Sequence, residues 1–480
     1  LLIYWKLIGR DQSSIINQQS SMGGGAMQRW RSGRLTAAAC LAVLLLASWD
    51  TAKAQDFAGR EKLRAFGDQE FRKDVITVTD GVYVAVGYSM ANAILIVGNG
   101  GSIIVDTTTR IDDAQAVRAE FAKISRAPVR AIIYTHSHPD HTGGASVFAG
   151  ADRPEIYSHQ LFVDRVPDLG RAGRDGGDQF GSTLPDALYI NGGTGTEFGR
   201  PSGPAAMKTG FLPPTKTFSN DRIALTIAGV RMELLHTPGE TNDGVSVWLP
   251  DKRVLLTGDL FLKAFPNLYA IRGAAPRPVE QWVASLTKLI ALRPEHVVPG
   301  HTRPVIGEAN ARGALTAYRD GIKSIFDQTV EGMKRGERPD DLVAHVKLPP
   351  ELADSPYLQE YYGTVEWSVR AIYSDRLGWF DGNATRLFPL PETDRAQRIV
   401  ALAGGVPQIL SRARDALDKQ DFRWAAELAD CVLAMDAANA DAKRLKARAL
   451  TELGERQTSA NARNYYLSVA QYLVRDLSPP

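Results

Sequence analysis

The spacing of apolar and polar positions changes twice along the chain. In the first half it alternates with a period of two. Val75-Ile-Thr-Val-Thr79 and Val82-Tyr-Val-Ala-Val86 flank Asp80-Gly81, a two-residue hairpin signal, and a second strand pair meets around Asn99-Gly100 and continues through Ser102 to Thr107. Ala114, Val117, Phe121 and Ile124 then recur at helical spacing. Val129, Ala131, Ile132, Ile133 and Tyr134 follow Pro128 as a short β-branched run, which predicts a buried strand. Further strands are expected over residues 222–228 and 230–235, and an amphipathic helix through Val279, Trp282, Leu286 and Ile290. The last third is helical, with amphipathic segments at 409–419, 422–435, 440–454 and 461–476. Hairpins first, then strand and helix in alternation, indicate an α/β fold followed by an all-α region.

Leaving the buried strand, Thr135-His-Ser-His-Pro-Asp-His-Thr-Gly-Gly144 places His136, His138, Asp140 and His141 within six positions. The strand fixes the root of this loop and Pro139 stiffens its middle, so imidazoles and a carboxylate can converge at little ordering cost. His136 and His138 alternate past Ser137 and can share one metal, while Asp140 and His141 point elsewhere and can hold a second. Imidazole with some carboxylate suits zinc, and fewer than four protein ligands per metal leaves room for water. The blander alternatives are a solvated turn or one closed zinc site that only holds the fold.

The chain has 480 residues, 44% apolar and 23% charged, with a formal charge of +2, which describes a globular protein of two or three domains. No basic run interleaved with aromatics points to nucleic acid. Residues 1–26 are polar and Gly-rich, after which Arg29, Arg31 and Arg34 precede an apolar stretch at 35–47 and then Ala52-Lys-Ala54. That order predicts a signal peptide cleaved near Ala54, and hence a periplasmic or secreted protein. About 13 apolar residues at about 1.5 Å each cannot cross a core of about 30 Å, so no membrane anchor is expected in the mature chain. Of the two cysteines, Cys40 lies in the removed segment and only Cys431 survives, which excludes an intrachain disulfide. Residues 165–215, rich in Gly, Pro and Asp, read as a substrate-side lid or a disordered loop.

The His136-x-His138-x-Asp140-His141 sequence resembles the signature of the metallo-β-lactamase superfamily, which implies an αββα sandwich with the remaining ligands at later strand ends. On that resemblance, Leu234-Leu-His-Thr-Pro-Gly-Glu240 supplies Glu240 where the superfamily usually has a third histidine. Arg253-Val-Leu-Leu-Thr-Gly-Asp259 supplies a bridging Asp259, and His296-Val-Val-Pro-Gly-His301 supplies His301. Asp106 matches an early strand-end aspartate that supports the histidine loop, or else it simply caps the following helix.

Asn267-Leu-Tyr-Ala-Ile-Arg-Gly273, the segment 321–332, Tyr361-Tyr-Gly-Thr-Val365 and Leu377-Gly-Trp-Phe-Asp-Gly-Asn383 are similar to the alkylsulfatase branch of that superfamily, from about residue 70 onward. The resemblance implies hydrolysis of alkyl sulfate esters to an alcohol and inorganic sulfate by a hydroxide on two Zn2+ per chain. His136, His138 and Glu240 would hold one ion and Asp140, His141 and His301 the other. Asp259 would bridge them, and Asp140 and Asp259 are the expected catalytic carboxylates. It divides the chain into a catalytic domain at 55–335 and a helical dimerisation domain at 336–480, making a homodimer the expected assembly. Without the resemblance, the paired helices read as a tetratricopeptide-like array or a monomeric cap.

Glu240 adds negative charge and calls for a cationic counterweight. Arg272, with a fork suited to two sulfate oxygens, is the candidate, assisted by Asn267 and Tyr269, unless Arg272 is only a structural ion pair. Three departures from the branch stand out: Asp259 replaces a Glu, Lys263 and Pro266 occupy a turn where histidines are usual, and the branch usually continues into a lipid-carrier-like domain where this sequence stops at Pro480. Competing readings are another hydrolase on the same frame, cleaving a lactone, lactam or phosphodiester, and a non-catalytic interaction protein using the helices.

Overall fold

Alternate residues of the early strands enter two different cores, and this alternation builds the layers. The computed structural model describes residues 57–165, 177–191, 208–274 and 277–477. The expected signal peptide and most of the expected lid, including the glycine cluster from residue 192, lie outside the described residues. Among the described residues one sheet runs in the order β1 (Asp74–Thr79), β2 (Val82–Val86), β3 (Ala93–Gly98), β4 (Gly101–Val105), β5 (Val129–Ile133), β6 (Glu155–His159), β7 (Lys216–Phe218). It is antiparallel through β4 and parallel beyond. The other runs from β8 (Arg222–Ile227) through β9 (Val230–His236), β10 (Val245–Leu249), β11 (Val254–Gly258) and β12 (His296–Pro299) to β13 (Val305–Ile306). Only β11 and β12 pair in parallel there.

Val82, Val84, Ile94, Ile96, Ile103 and Ile133 meet Leu234, Val245, Val247 and Leu256 between the sheets. Residues one position away, Leu95, Ile104 and Ile132, face outward onto Val117 and Phe121 of α2 (Ile111–Ile124), which follows α1 (Ala58–Glu70) in the chain. A one-residue slip would turn each set into the wrong layer, so the two cores pin the register. Leu235, Trp248, Leu255 and Val297 cover the far side of the second sheet. They pack against Trp282 and Leu286 of α3 (Val279–Ala291), Tyr318 and Ile322 of α4 (Glu308–Lys334), and Val369 and Ile372 of α5 (Val365–Leu377). Helices therefore flank both sheets, and the αββα sandwich expected from the sequence is present. The helix α5 belongs to this core although it follows residue 336.

The helical end continues through α6 (Glu392–Leu402), α7 (Val406–Asp418), α8 (Phe422–Leu433), α9 (Ala440–Glu455) and α10 (Ala460–Val474). Side chains of Asp421, Asn439 and Ser459 accept the backbone N–H of Trp424, Ala442 and Ala462, fixing where α8, α9 and α10 begin. The segment 177–191 lies against α10: the Tyr472 hydroxyl donates to Asp178 at 2.6 Å, and Asn464 Nδ2 donates to the Gln179 carbonyl at 3.3 Å. Among the described residues no helix is long and apolar enough to cross a membrane.

Candidate metal centre

The loop after β5 rises from a strand whose last three residues, Ala131, Ile132 and Ile133, are buried, and a three-way hydrogen-bonded anchor holds it. Asp106 Oδ1 accepts the Thr135 N–H at 2.8 Å, and Oδ2 accepts both the Thr135 hydroxyl at 2.7 Å and His141 Nδ1 at 2.7 Å. Asp106 does not cap α2, whose N-cap is Arg110 with no side-chain capping bond. It sits at φ 59°, a left-handed conformation that Asp tolerates better than most residues. With Nδ1 committed to Asp106, His141 presents Nε2 to the interior. His301 is set in the same way, its Nδ1 lying 2.8 Å from the Met90 carbonyl.

Two groups of side chains converge at the strand ends. His136, His138, Glu240 and Asp259 form one, and Asp140, His141 and His301 the other; within each group the ligand atoms lie within 4.8 Å of one another. All seven residues singled out from the sequence are thus brought together. His136 Nε2 and His138 Nδ1 face each other at 2.9 Å. Asp140 Oδ2 stands 3.4 Å from the Nε2 of both His141 and His301. Asp259 reaches both groups: Oδ2 lies 3.1 Å from His301 Nε2 and 3.8 Å from His136 Nε2, and Oδ1 lies 3.4 Å from His141 Nε2. Gly300 permits this closeness, because a Cβ there would stand 2.3 Å from Asp259 Oδ1 and 2.9 Å from His141 Cε1.

The electrostatics fit a bound cation. Burial lowers His138 to about 3, so its imidazole is neutral, as a ligand must be. Burial also acts against charge on His301, but Asp259 and Asp140 outweigh it and hold the ring up at about 9. Burial raises Glu240 to about 7, with Arg277 opposing and Asp259 adding to the rise. His141 Nε2 and Asp259 Oδ1 are buried and have no hydrogen-bond partner. Buried polar atoms left without partners in the midst of imidazoles and carboxylates are what a divalent cation would satisfy.

The loop after β11 carries the expected substrate residues. Asn267 is 1% exposed and neither polar atom of its amide has a partner; Tyr269 and Arg272 are half-buried. Arg272 makes no ion pair with a carboxylate among the described residues, and its backbone N–H donates to Gln179 Oε1 at 3.3 Å. Lys263, where histidines were expected, pairs instead with Glu70 of α1 at 3.1 Å.

Three neighbours were not found from the sequence. Arg277 Nη2 meets Glu240 Oε1 at 2.6 Å. Gln179 supports Arg272. Tyr362 has a phenol pushed up to about 12 by burial and by Glu240, with Arg272 and Arg277 acting the other way. The Tyr361-Tyr-Gly363 motif was the one available signal, since Gly363 packs so tightly on Asn267 that a Cβ would fall 2.7 Å from its Cα.

Comparisons with known proteins agree with this geometry. Residues 86–301 match the family model "Metallo-beta-lactamase superfamily", and residues 338–476 match "Alkyl sulfatase dimerisation". The chain is 40% identical over 387 residues to a linear primary-alkylsulfatase of Pseudomonas sp. (strain ATCC 19151), covering 78% of this chain and 72% of that one. It is 31% identical over 416 residues to an (R)-specific secondary-alkylsulfatase of Pseudomonas sp., spanning 82% of this chain and 61% of that relative. A solved structure of a stereoselective inverting sec-alkylsulfatase from Pseudomonas sp. superposes with a TM-score of 0.76 at 26% identity, over 88% of this chain and 71% of the other.

Proposed function

Because the chain belongs to the alkylsulfatase family of the metallo-β-lactamase superfamily, we propose that it is a zinc-dependent hydrolase that cleaves alkyl sulfate esters to an alcohol and inorganic sulfate. The carrying observation is the position of Asp259, whose two oxygens reach both ligand groups. That placement favours a site for two cations, one that His136, His138 and Glu240 would hold and one that Asp140, His141 and His301 would hold, with Asp259 able to serve either group. Zinc suits this mixture of imidazole and carboxylate. When bound, such ions lower the pKa of a water from about 15.7 to about 7 and polarise the ester oxygens.

The remaining work falls to the protein. A sulfate ester offers acceptor oxygens and no hydrogen, so its recognition requires donors. Arg272, free of any carboxylate partner among the described residues, supplies a forked cation, and the Asn267 amide and the Tyr269 hydroxyl supply single donors. Asp140 and Asp259 would hold the ions and orient the attacking water, whose proton would leave to bulk solvent.

A homodimer is part of the same reading. The region matched as an alkyl sulfatase dimerisation domain exposes Trp379 (73%), Phe388 (94%) and Leu402 (88%) on the single chain, and an apolar surface of that kind favours burial against a second copy.

The test is sulfate release from octyl or dodecyl sulfate by protein carrying about two zinc ions per chain, abolished by a chelator and restored by zinc. Turnover of nitrocefin or a lactone without any sulfate release would replace this reading with another hydrolase on the same frame.

A further inference from the structure

Arg277 is 6% exposed, a guanidinium held almost entirely out of water at the edge of the candidate metal centre. Its Nη2 meets Glu240 Oε1 at 2.6 Å, with the two side chains 4% and 8% exposed, and its Nη1 donates to the Asn267 carbonyl. One planar fork thereby joins a candidate ligand to the first residue of the loop that ends in Arg272. Three carboxylates, Asp140, Glu240 and Asp259, converge at the two ligand groups. Their combined charge draws a metal in and pushes an anionic ester away, and in a buried site both effects are larger than in water.

We propose that Arg277 is a positioning and specificity-determining residue: by offsetting Glu240 and occupying its Oε1, it shifts the site from binding metal as tightly as it can toward binding an anion. This deepens the reading as a sulfate ester hydrolase and rests on it. Arg277 faces the carboxylate, so it acts through Glu240. The second bond gives the same residue hold of the substrate loop. Tightening Glu240 around a cation and seating Asn267 and Arg272 around a sulfate then depend on one side chain.

The role makes two affinities move in opposite directions when the charge is removed. In full-length protein, Arg277→Met and Arg277→Gln are expected to bind zinc several-fold more tightly than the parent, read by competition with a chromophoric chelator. The same variants are expected to bind inorganic sulfate about tenfold more weakly, read by calorimetry on the zinc-loaded protein, and to show a similar rise in KM for octyl sulfate. Arg277→Lys, which keeps the charge and loses the fork, returns zinc affinity close to the parent value and recovers part of the sulfate affinity. A variant that is merely misassembled would lose zinc as well as sulfate. Weaker zinc binding in both neutral variants, or unchanged sulfate binding, overturns the proposal, and the Gln variant decides the matter should the Met variant fail to fold. If the parent protein itself releases no sulfate, the hydrolase reading falls first. If it does and the affinities do not diverge, only the role of Arg277 falls.

Discussion

His141 Nδ1 and Asp106 Oδ2 lie 2.7 Å apart, and neither side chain is exposed to solvent. The contact decides which ring nitrogen His141 presents to the metal groups. Asparagine tolerates the left-handed backbone at this position, so Asp106→Asn should fold while losing the charge that orients the ring. We expect zinc affinity to fall by about 10- to 100-fold, and the Tm of the metal-free protein to fall with it because the amide nitrogen cannot accept the two bonds that Oδ2 accepts, measured by chelator competition and thermal scanning.

Metal loading should release protons. His301 is held up at about 9 by Asp259 and Asp140 against the effect of burial, and only the neutral ring can bind zinc. In the metal-free protein this raised value contributes stability fully below about pH 6.5, and that contribution is lost as pH rises through about 9. Zinc affinity runs the opposite way, rising over the same window. Calorimetric titrations in buffers of different ionisation enthalpy at pH 7 should show net proton release, and a buffer-independent enthalpy would contradict it.

Gln179 holds the backbone of Arg272 from across the fold. Gln179→Leu removes that acceptor and keeps the bulk. Losing about 1 kcal/mol of hydrogen bonding corresponds to roughly a fivefold rise in KM for octyl sulfate, with zinc content unchanged. An unaltered KM would mean that Gln179 does not position the loop.

Trp379 and Phe388 are 73% and 94% exposed on the isolated chain. A double change to Trp379→Asp and Phe388→Asp should turn a dimer into a monomer in light scattering, while the fold detected by circular dichroism persists. A dimer that survives would locate the contact elsewhere on the helical region.

The metal centre was legible because its ligands follow strand ends, and strand ends can be read from short β-branched runs closed by glycine. Asp259 and His301 carry that mark, and the run before His136 is set off by Pro128 in front of it. Glu240 was found through its Thr-Pro-Gly turn and its family likeness, since a lone carboxylate has no pattern of its own. Arg277, by contrast, follows Arg272 in a loop with no periodicity, and nothing in its neighbours tells which arginine faces a substrate and which is paired. Gln179 lay in a stretch read as a lid or a disordered loop, and its partner Asn464 comes 285 residues later. Such contacts depend on how the last helix returns to the sandwich, which local pattern does not encode. The same holds for Asp106: the sequence allowed a cap or a support, and the orientation of both carboxylate oxygens toward Thr135 and His141 decides for support.

The helix α5 places Val369 and Ile372 in the same core as Trp282 and Tyr318. Cutting the chain where the helical region begins would therefore peel a wall off the enzyme instead of separating two independent modules. A fragment ending there would leave oily surface on α4 open to water, and the catalytic half inherits part of its solidity from residues that family boundaries assign to assembly.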